Sequence, residues 1–391
     1  MIDVFVEQES DQGSFRIRSD SHGNIVYLDR FGRRLNAVPL ELTESPCPLR
    51  SPLVVHLELT RRCALKCKHC YINAPRPRNN ELNTEEWKGL LRQLRDLQTM
   101  SVYITGGDPR KHEGCAEIIQ YASNIGLSCN LLINGVALTR EFARAIPDRV
   151  FVVVSYDGLI GSKSLRGILS ETVMESTQIL AEAGKHFALE GVLFHDNVTE
   201  MASTIRHCHD LGLDFQLIDM LPIGRAKQYP GLLLQESDLD AAIEAEVEWR
   251  NFLVQREGLY PLGEVANPNI YSGVAKLVEV TGRPEPGVFV SYVSSDGYLY
   301  PDNYYAAEDW FREANLREVS FAQAWQSSFA KLRDLKVLDF RDCSNCSARA
   351  NGQFCDLQNL ALSSQLYGSE RVCGAYPALR DLKARRAVLS S

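Results

Sequence analysis

Leu53-Val-Val-His-Leu-Glu-Leu-Thr60-Arg-Arg-Cys63-Ala-Leu-Lys-Cys67-Lys-His-Cys70-Tyr71 is the stretch that decides the fold. Its first seven residues are rich in β-favouring apolar side chains and read as a strand, which delivers Thr60 and then three cysteines in quick succession. Thiolates at this spacing can hold three corners of a cubic iron–sulfur cluster on one short loop. No fourth cysteine lies beside them, so one iron is left open to another ligand. Clusters usually take four cysteines, and three therefore point to chemistry at the open iron rather than to electron storage alone. The competing reading of the same residues is a zinc site, with His69 completing a tetrahedral set.

Working outward, short apolar runs alternate with helical patterns. Thr84 is the expected cap of the first helix, and Glu85 and Glu86 lie in its first turn, where negative charge suits the dipole. Apolar runs follow at Val102, Cys129, Phe151, Phe187 and Phe215, with helical patterns between them. Six strands, each followed by a helix or helical turn, predict an α/β fold with a parallel sheet, an open (β/α)6, partial TIM-like barrel over residues 51–270. Ligands of such sheets gather at the carboxyl ends of the strands. Ahead of it, residues 1–50 read as a β-rich extension. Ser14-Phe-Arg-Ile-Arg and Ile25-Val-Tyr-Leu form a hairpin turned at His22-Gly-Asn, and Pro46, Pro48 and Pro52 mark a linker.

Composition bounds the function. The chain has 391 residues, 45% of them apolar and 24% charged, which suits a soluble globular protein of more than one domain. A net charge of −8 argues against a nucleic-acid partner. No run of about 20 apolar residues is present, so no membrane helix is expected. The first residues lack the pattern of a signal peptide, and the expected compartment is the cytoplasm. There thiols stay reduced, and eleven cysteines are better explained by metal than by disulfides.

The cysteine loop resembles the signature of the radical S-adenosylmethionine (radical SAM) enzymes, Cys-x3-Cys-x2-Cys. The resemblance implies that Cys63, Cys67 and Cys70 are catalytic and hold a 4Fe–4S cluster whose open iron chelates S-adenosylmethionine. It implies too that His69 and Tyr71, beside Cys70, touch the cofactor, and that a flavodoxin or ferredoxin donates electrons. Other strand ends fit the same family. Gly106-Gly107-Asp108 is similar to its Gly-Gly-Glu, with Asp for the commoner Glu. Asn134-Gly135 is similar to Thr-Asn-Gly, and Ser155-Tyr156-Asp157-Gly158 to Ser-Leu-Asp-Gly. These residues are expected to bind S-adenosylmethionine. Arg166-Gly167 matches a further family position. Leu221-Pro-Ile-Gly224-Arg225-Ala226 resembles the Pro-x-Gly-Arg-Ala of peptide-maturing members, where apolar residues are expected to face adenine. His195 reads as a solvated turn histidine.

Residues 271–391 resemble a SPASM or twitch domain, announced by Asp296-Gly297-Tyr-Leu-Tyr-Pro301 and by a helix start at Phe321 to Trp325. Cys343, Cys346, Cys355 and Cys373 form a complete ligand set, implying a second, auxiliary 4Fe–4S cluster; a four-cysteine zinc knob is the alternative. Asp302 stands where full SPASM domains carry a cysteine, so one auxiliary cluster is expected rather than two. Cys47, Cys115, Cys129 and Cys208 are isolated and read as ordinary thiols. The expected substrate is a peptide or peptide-derived natural product. Pro301-Asp302-Asn-Tyr304-Tyr305 resembles a stretch in the heme-modifying branch, so a tetrapyrrole is the rival, with Tyr304 and Tyr305 stacking on the ring and Arg166, Arg225 and Lys227 taking its carboxylates. A non-enzymatic iron–sulfur or zinc protein is the rival of another class.

Overall fold

The computed structural model describes residues 15–19, 24–29, 34–39, 49, 51–97, 99, 101–255, 286–306 and 309–334. Strands β1 (Phe15–Ser19), β2 (Asn24–Asp29) and β3 (Arg34–Pro39) form an antiparallel sheet of their own. The expected hairpin is its first two strands, and β3 adds a third strand to it.

The main sheet contains six parallel strands in sequence order: β4 (Val54–Glu58), β5 (Ser101–Thr105), β6 (Ser128–Ile133), β7 (Phe151–Ser155), β8 (Phe187–Leu193) and β9 (Asp214–Asp219). Helices α1 (Thr84–Asp96), α2 (Cys115–Asn124), α3 (Arg140–Ala145), α4 (Gly158–Gly161), α5 (Ser170–Glu182), α6 (Val198–Asp210) and α7 (Leu239–Gln255) follow or separate them. On α1, Trp87, Leu90, Leu91 and Leu94 recur at helical spacing and are buried, each contributing roughly 1.5–3 kcal/mol of transfer free energy. Its cap is Asn83 rather than Thr84. The Asn83 side chain accepts from the amides of Glu85 and Glu86, and Glu86 reaches back to the Asn83 amide, a reciprocal arrangement that Thr84 cannot make from inside the helix.

Alternation along the strands separates two faces. Val102 and Ile104 point to one face, and on the other Ser101 takes a hydrogen bond from Asn130 while Tyr103, itself buried in the core, stacks on His56 at 5.1 Å. A buried row of aromatic and polar side chains thus crosses the sheet through the partners Tyr292, His56, Tyr103 and Asn130.

Two more strands extend the sheet beyond β4. β10 (Val290–Val293) pairs parallel with β4, and β11 (Leu299–Tyr300) pairs antiparallel with β10. The Asp296-Gly297 hairpin is therefore an edge of the barrel sheet itself. Helix α8 (Phe321–Ser327) begins at the expected residue, capped by Ser320, and buries Trp325, whose indole donates to the Leu49 carbonyl at 3.0 Å.

Candidate active site at the cysteine loop

The carboxyl end of β4 releases the cysteine loop, and neighbouring strand ends hold it on both sides. At its start, Thr60 and the Arg61 amide donate to Glu81 at 2.9 and 3.0 Å. The Gly107 amide donates to the Thr60 carbonyl at 2.7 Å and the Asp108 amide to that of Arg62 at 2.8 Å. Gly106 has φ +146°, and a Cβ on Gly107 would stand 2.5 Å from the Arg62 oxygen and 2.8 Å from that of Arg61. No side chain fits there, so the glycines let β5 lie flat against the loop. The two amides are consequently donated to the loop itself.

On the far side Gly224, φ +53°, presses on the loop so closely that a Cβ would stand 2.5 Å from the Cys70 carbonyl oxygen. Arg225 donates its amide to the same oxygen at 3.0 Å and one guanidinium nitrogen to the Cys67 carbonyl at 2.6 Å. Its other terminal nitrogen donates to the Ala74 carbonyl. The apolar residues of this segment are buried. Leu221 and Ile223 belong to the main core, and Met220 and Ala226 pack with Leu165, Val192, Phe194 and Leu232.

Between these clamps, Cys63 Sγ accepts from the Leu65 amide at 3.4 Å and Cys70 Sγ from the Ala74 amide at 3.2 Å. Burial pushes the Cys67 thiol up to about 11 and raises that of Cys70 as well. Thiols so disposed stay protonated in the apo loop, and a cationic centre that takes thiolates would offset the burial. Among the described residues no three of His, Cys, Asp and Glu converge to hold one metal ion. His69 adds a second sign of fit. Its Nδ1 is buried without a hydrogen-bond partner, and burial pushes the ring down to about 4, so it is neutral at pH 7. Tyr71 hydrogen-bonds Thr105, and its hydroxyl is raised by burial.

Two strand ends, those of β5 and β6, converge beside Cys63. Asp108, 2% exposed, is held by Arg110 through Nε and Nη2, both at 2.9 Å. Arg110 also donates to Asn134 Oδ1 at 3.0 Å and to the Val136 carbonyl at 2.7 Å. The Asn134 amide nitrogen lies 3.7 Å from Cys63 Sγ and 3.5 Å from Asp108. Arg110 is a residue that the sequence reading missed; its place two positions beyond Asp108, in the turn that Asp108 caps, was the available signal. Asp157 is fully buried and paired with Arg166 at 2.5 Å, and accepts from the Val192 amide at 2.9 Å. Arg166 keeps the Asp157 carboxyl below its usual range despite the burial that opposes this. Ser155 is half-buried at the tip of β7, level with Glu190 on β8, whose carboxyl burial raises to about 7.

The Asp-Gly hairpin supports the loop from beneath. Glu58, fully buried, accepts from Arg61 Nε at 2.9 Å, from the Ser295 amide at 3.0 Å and hydroxyl at 2.7 Å, and from the Tyr292 hydroxyl. Asp296 pairs with Arg78 at 3.3 Å and with Arg312 at 3.2 Å. The motif residues therefore tie the hairpin to the strand that carries the cysteines. Tyr305 is buried and edge-packed on Phe311 at 4.6 Å. His195 faces Asp238 at 2.7 Å, which a merely solvated histidine would not do. Cys115, Cys129 and Cys208 are buried free thiols. Cys47, Cys343, Cys346, Cys355 and Cys373 lie outside the described residues.

Residues 57–208 match the Radical SAM superfamily. The AdoMet-dependent heme synthase of Oleidesulfovibrio alaskensis is 24% identical over 84% of this chain and 89% of its own. The PqqA peptide cyclase of Xanthomonas euvesicatoria is 25% identical over 85% and 90%. Among solved structures, Streptococcus suis SuiB bound to S-adenosylmethionine superposes with a TM-score of 0.61 at 17% identity, over 76% of this chain and 71% of that one. SuiB bound to its precursor peptide SuiA gives a TM-score of 0.60 over 76% and 70%.

Proposed function

For a chain that belongs to the radical SAM superfamily and is an enzyme of radical chemistry, we propose that the substrate is a peptide or peptide-derived natural product. Cys63, Cys67 and Cys70 hold the 4Fe–4S cluster, and Arg225 and Gly107 fix the loop that presents them. Asp108, Asn134, Ser155 and the backbone at Gly106 and Gly107 surround S-adenosylmethionine, with His69 and Tyr71 against it from the loop. Asp157 acts behind them, positioning Arg166. When bound, the cluster would supply the one-electron reductive cleavage of S-adenosylmethionine that makes hydrogen abstraction from a substrate possible. Such chemistry belongs to the cofactor, and the protein supplies orientation and the exclusion of water. Cys343, Cys346, Cys355 and Cys373 hold an auxiliary cluster in this reading.

One observation carries the choice of a peptide over a tetrapyrrole, since relatives of similar likeness act on each. The arginines that a ring's carboxylates would need are already spent: Arg225 on the Cys67 and Ala74 carbonyls, Arg166 on Asp157. Tyr305, one of the two rings that would stack on heme, is inside the core. SuiB, similar in fold, has been solved with a precursor peptide.

Two measurements test the proposal. Replacing Cys63, Cys67 and Cys70 together by Ala abolishes 5′-deoxyadenosine formation after anaerobic reconstitution; undiminished formation refutes the radical SAM assignment. Titration with iron coproporphyrin leaves its Soret band unmoved, and a tight, stoichiometric shift overturns the peptide reading in favour of the tetrapyrrole.

A further inference from the structure

Glu190, on the face of the barrel sheet turned away from the helices, is a carboxylate that the site above leaves without a partner. It lies on β8, level with Ser155 on β7 and with Gln216 on β9. Its chain neighbours face the other way, Leu189 into the main core and Gly191 so close to Phe215 that a Cβ would stand 2.6 Å from the ring. Two residues earlier on the face of Glu190, Ala188 packs with Phe151 and Val153 in a separate apolar cluster. Glu190 stands above that floor, half-buried. We infer that it is a specificity-determining residue, receiving a cationic side chain, lysine or arginine, that the peptide substrate inserts beside S-adenosylmethionine. The inference rests on the peptide reading given above and adds the kind of residue that reaches the reacting position.

Nothing among the described residues donates to the Glu190 carboxyl. Arg166 is within electrostatic reach, but its guanidinium is held by Asp157 through Nε at 2.5 Å and Nη2 at 3.2 Å. Tyr71, on the cysteine loop, and Tyr103, on β5, feel the Glu190 charge too, so the carboxyl lies on the side of the sheet that the loop covers. A carboxylate in bulk water needs no partner. This one does, because burial pushes it up to about 7 and makes ionisation costly until an opposite charge arrives. Polar groups that the chain itself leaves unpaired in such a place are completed by a ligand. A cation is the complement, since a neutral donor leaves most of the cost of the buried charge standing.

The flank around Glu190 suits a residue that enters and leaves. β9 is the last strand of the described sheet. On it Gln216 is half-buried beside Glu190, and Ile218, two residues nearer the carboxyl end, is 42% exposed. A lysine or arginine that reaches Glu190 can lay its aliphatic stem along Ile218 and give a further hydrogen bond to the Gln216 side-chain oxygen. S-adenosylmethionine, by contrast, has its polar contacts in the proposed site chiefly at the ends of β5 and β6, with Asp108 and Asn134. Ser155, on β7, stands between those strands and Glu190 in the sheet order. A side chain paired with Glu190 is therefore held alongside the cofactor rather than in its place.

The experiment uses the reconstituted full-length enzyme with S-adenosylmethionine and no reductant. The probes are acetylated, amidated pentapeptides, Gly-Gly-X-Gly-Gly, in which X is lysine, arginine, norleucine or glutamate. Affinities are measured by calorimetry at pH 8, where Glu190 is ionised. Expected in the unaltered enzyme is about tenfold tighter binding of the lysine and arginine peptides than of the norleucine peptide, with the glutamate peptide weakest. Glu190→Gln abolishes that preference while the norleucine affinity stays within about twofold, and Glu190→Asp retains part of the preference. Equal affinity for the lysine and norleucine peptides in the unaltered enzyme overturns the inference, and so does a preference that survives in Glu190→Gln. Weaker binding of S-adenosylmethionine in that variant overturns it too, by assigning Glu190 to the cofactor. Binding of none of the peptides has the same force; where iron coproporphyrin then binds tightly, the peptide reading beneath the inference fails as well.

Discussion

The two ends of the cysteine loop are held by different physics. At residues 60–62 the anchor is a desolvated charge network, in which Glu58 meets Arg61, Tyr292 and both donors of Ser295. At residues 67–74 it is one arginine spread over neutral carbonyls, with Gly224 pressed against the chain. A network that satisfies each buried charge is stiff but fails abruptly when one member goes, because the remaining charge is stranded. Carbonyl contacts fail more gradually, each being worth little alone. The start of the loop is thus the stiffer of its two anchors.

The largest expected effect tests the first anchor. Glu58→Leu strands the buried Arg61 guanidinium and should cost about 3–5 kcal/mol, read from urea unfolding. Adding Arg61→Met should recover much of the loss. A cost below about 1 kcal/mol would mean that the network does not hold the loop. Next comes steric closure. Gly224→Ala puts a methyl group into the Cys70 carbonyl at a left-handed φ, and about 1–3 kcal/mol of strain is expected, together with reduced iron retention after reconstitution. Gly107→Ala should do the same at the opposite end. Arg225→Ala should cost roughly 1.5–3 kcal/mol, with Arg225→Lys recovering only part of it, because one ammonium cannot reproduce the fork that spans Cys67 and Ala74. Equal stability of the lysine variant and the unaltered protein would show that charge alone, and not the fork, secures that end.

The smallest effect concerns pH. Burial pushes His56, on the strand of the first anchor, down to about 3. The unfolded chain then binds a proton below about 6.5 that the native state refuses, so this group makes stability fall as pH drops from 6.5 toward 3. Burial raises Glu190, near Arg166, to about 7. There the native state keeps a proton that the unfolded chain loses above about 4.5, so stability falls as pH rises from 4.5 to 7. The two slopes oppose one another, and between pH 4.5 and 6.5 their sum is nearly flat. His56→Phe should leave a stability that declines with rising pH over that window, and Glu190→Gln one that increases. Urea midpoints at several pH values decide it, and parallel curves for both variants would refute the assignment.

Much of this was legible in one dimension. The six parallel strands followed from apolar runs spaced by helical patterns, and the strand ends carried the polar residues that parallel sheets place together. Asn134 does lie beside Cys63, as its position at the end of a strand implied. Legibility ended where a residue's partner is remote in sequence. Gly106-Gly107 was readable as a ligand turn, but its close approach is to the loop, and only the register of β5 against β4 shows it. Arg110 stands two positions beyond Asp108, which was a local signal, but its reach to Val136 is set by the tertiary structure. Thr84 looked like the cap because it begins the apolar pattern; Asn83 won because its side chain reaches the amides of both Glu85 and Glu86.

The hairpin at Asp296-Gly297 shows the division most sharply. Its turn chemistry was evident from the dipeptide, while its attachment depended on Ser295 and Tyr292 meeting a glutamate more than 230 positions earlier in the chain. By itself the sequence determined the chemistry: three thiols on one loop after a strand, in an alternating α/β chain, because ligand spacing and hydrophobic period are local properties. Only the tertiary structure decided which glycine touches which carbonyl, which arginines remain available, and which face of the loop looks outward. Those outcomes depend on contacts between distant segments, and burial sets their strength.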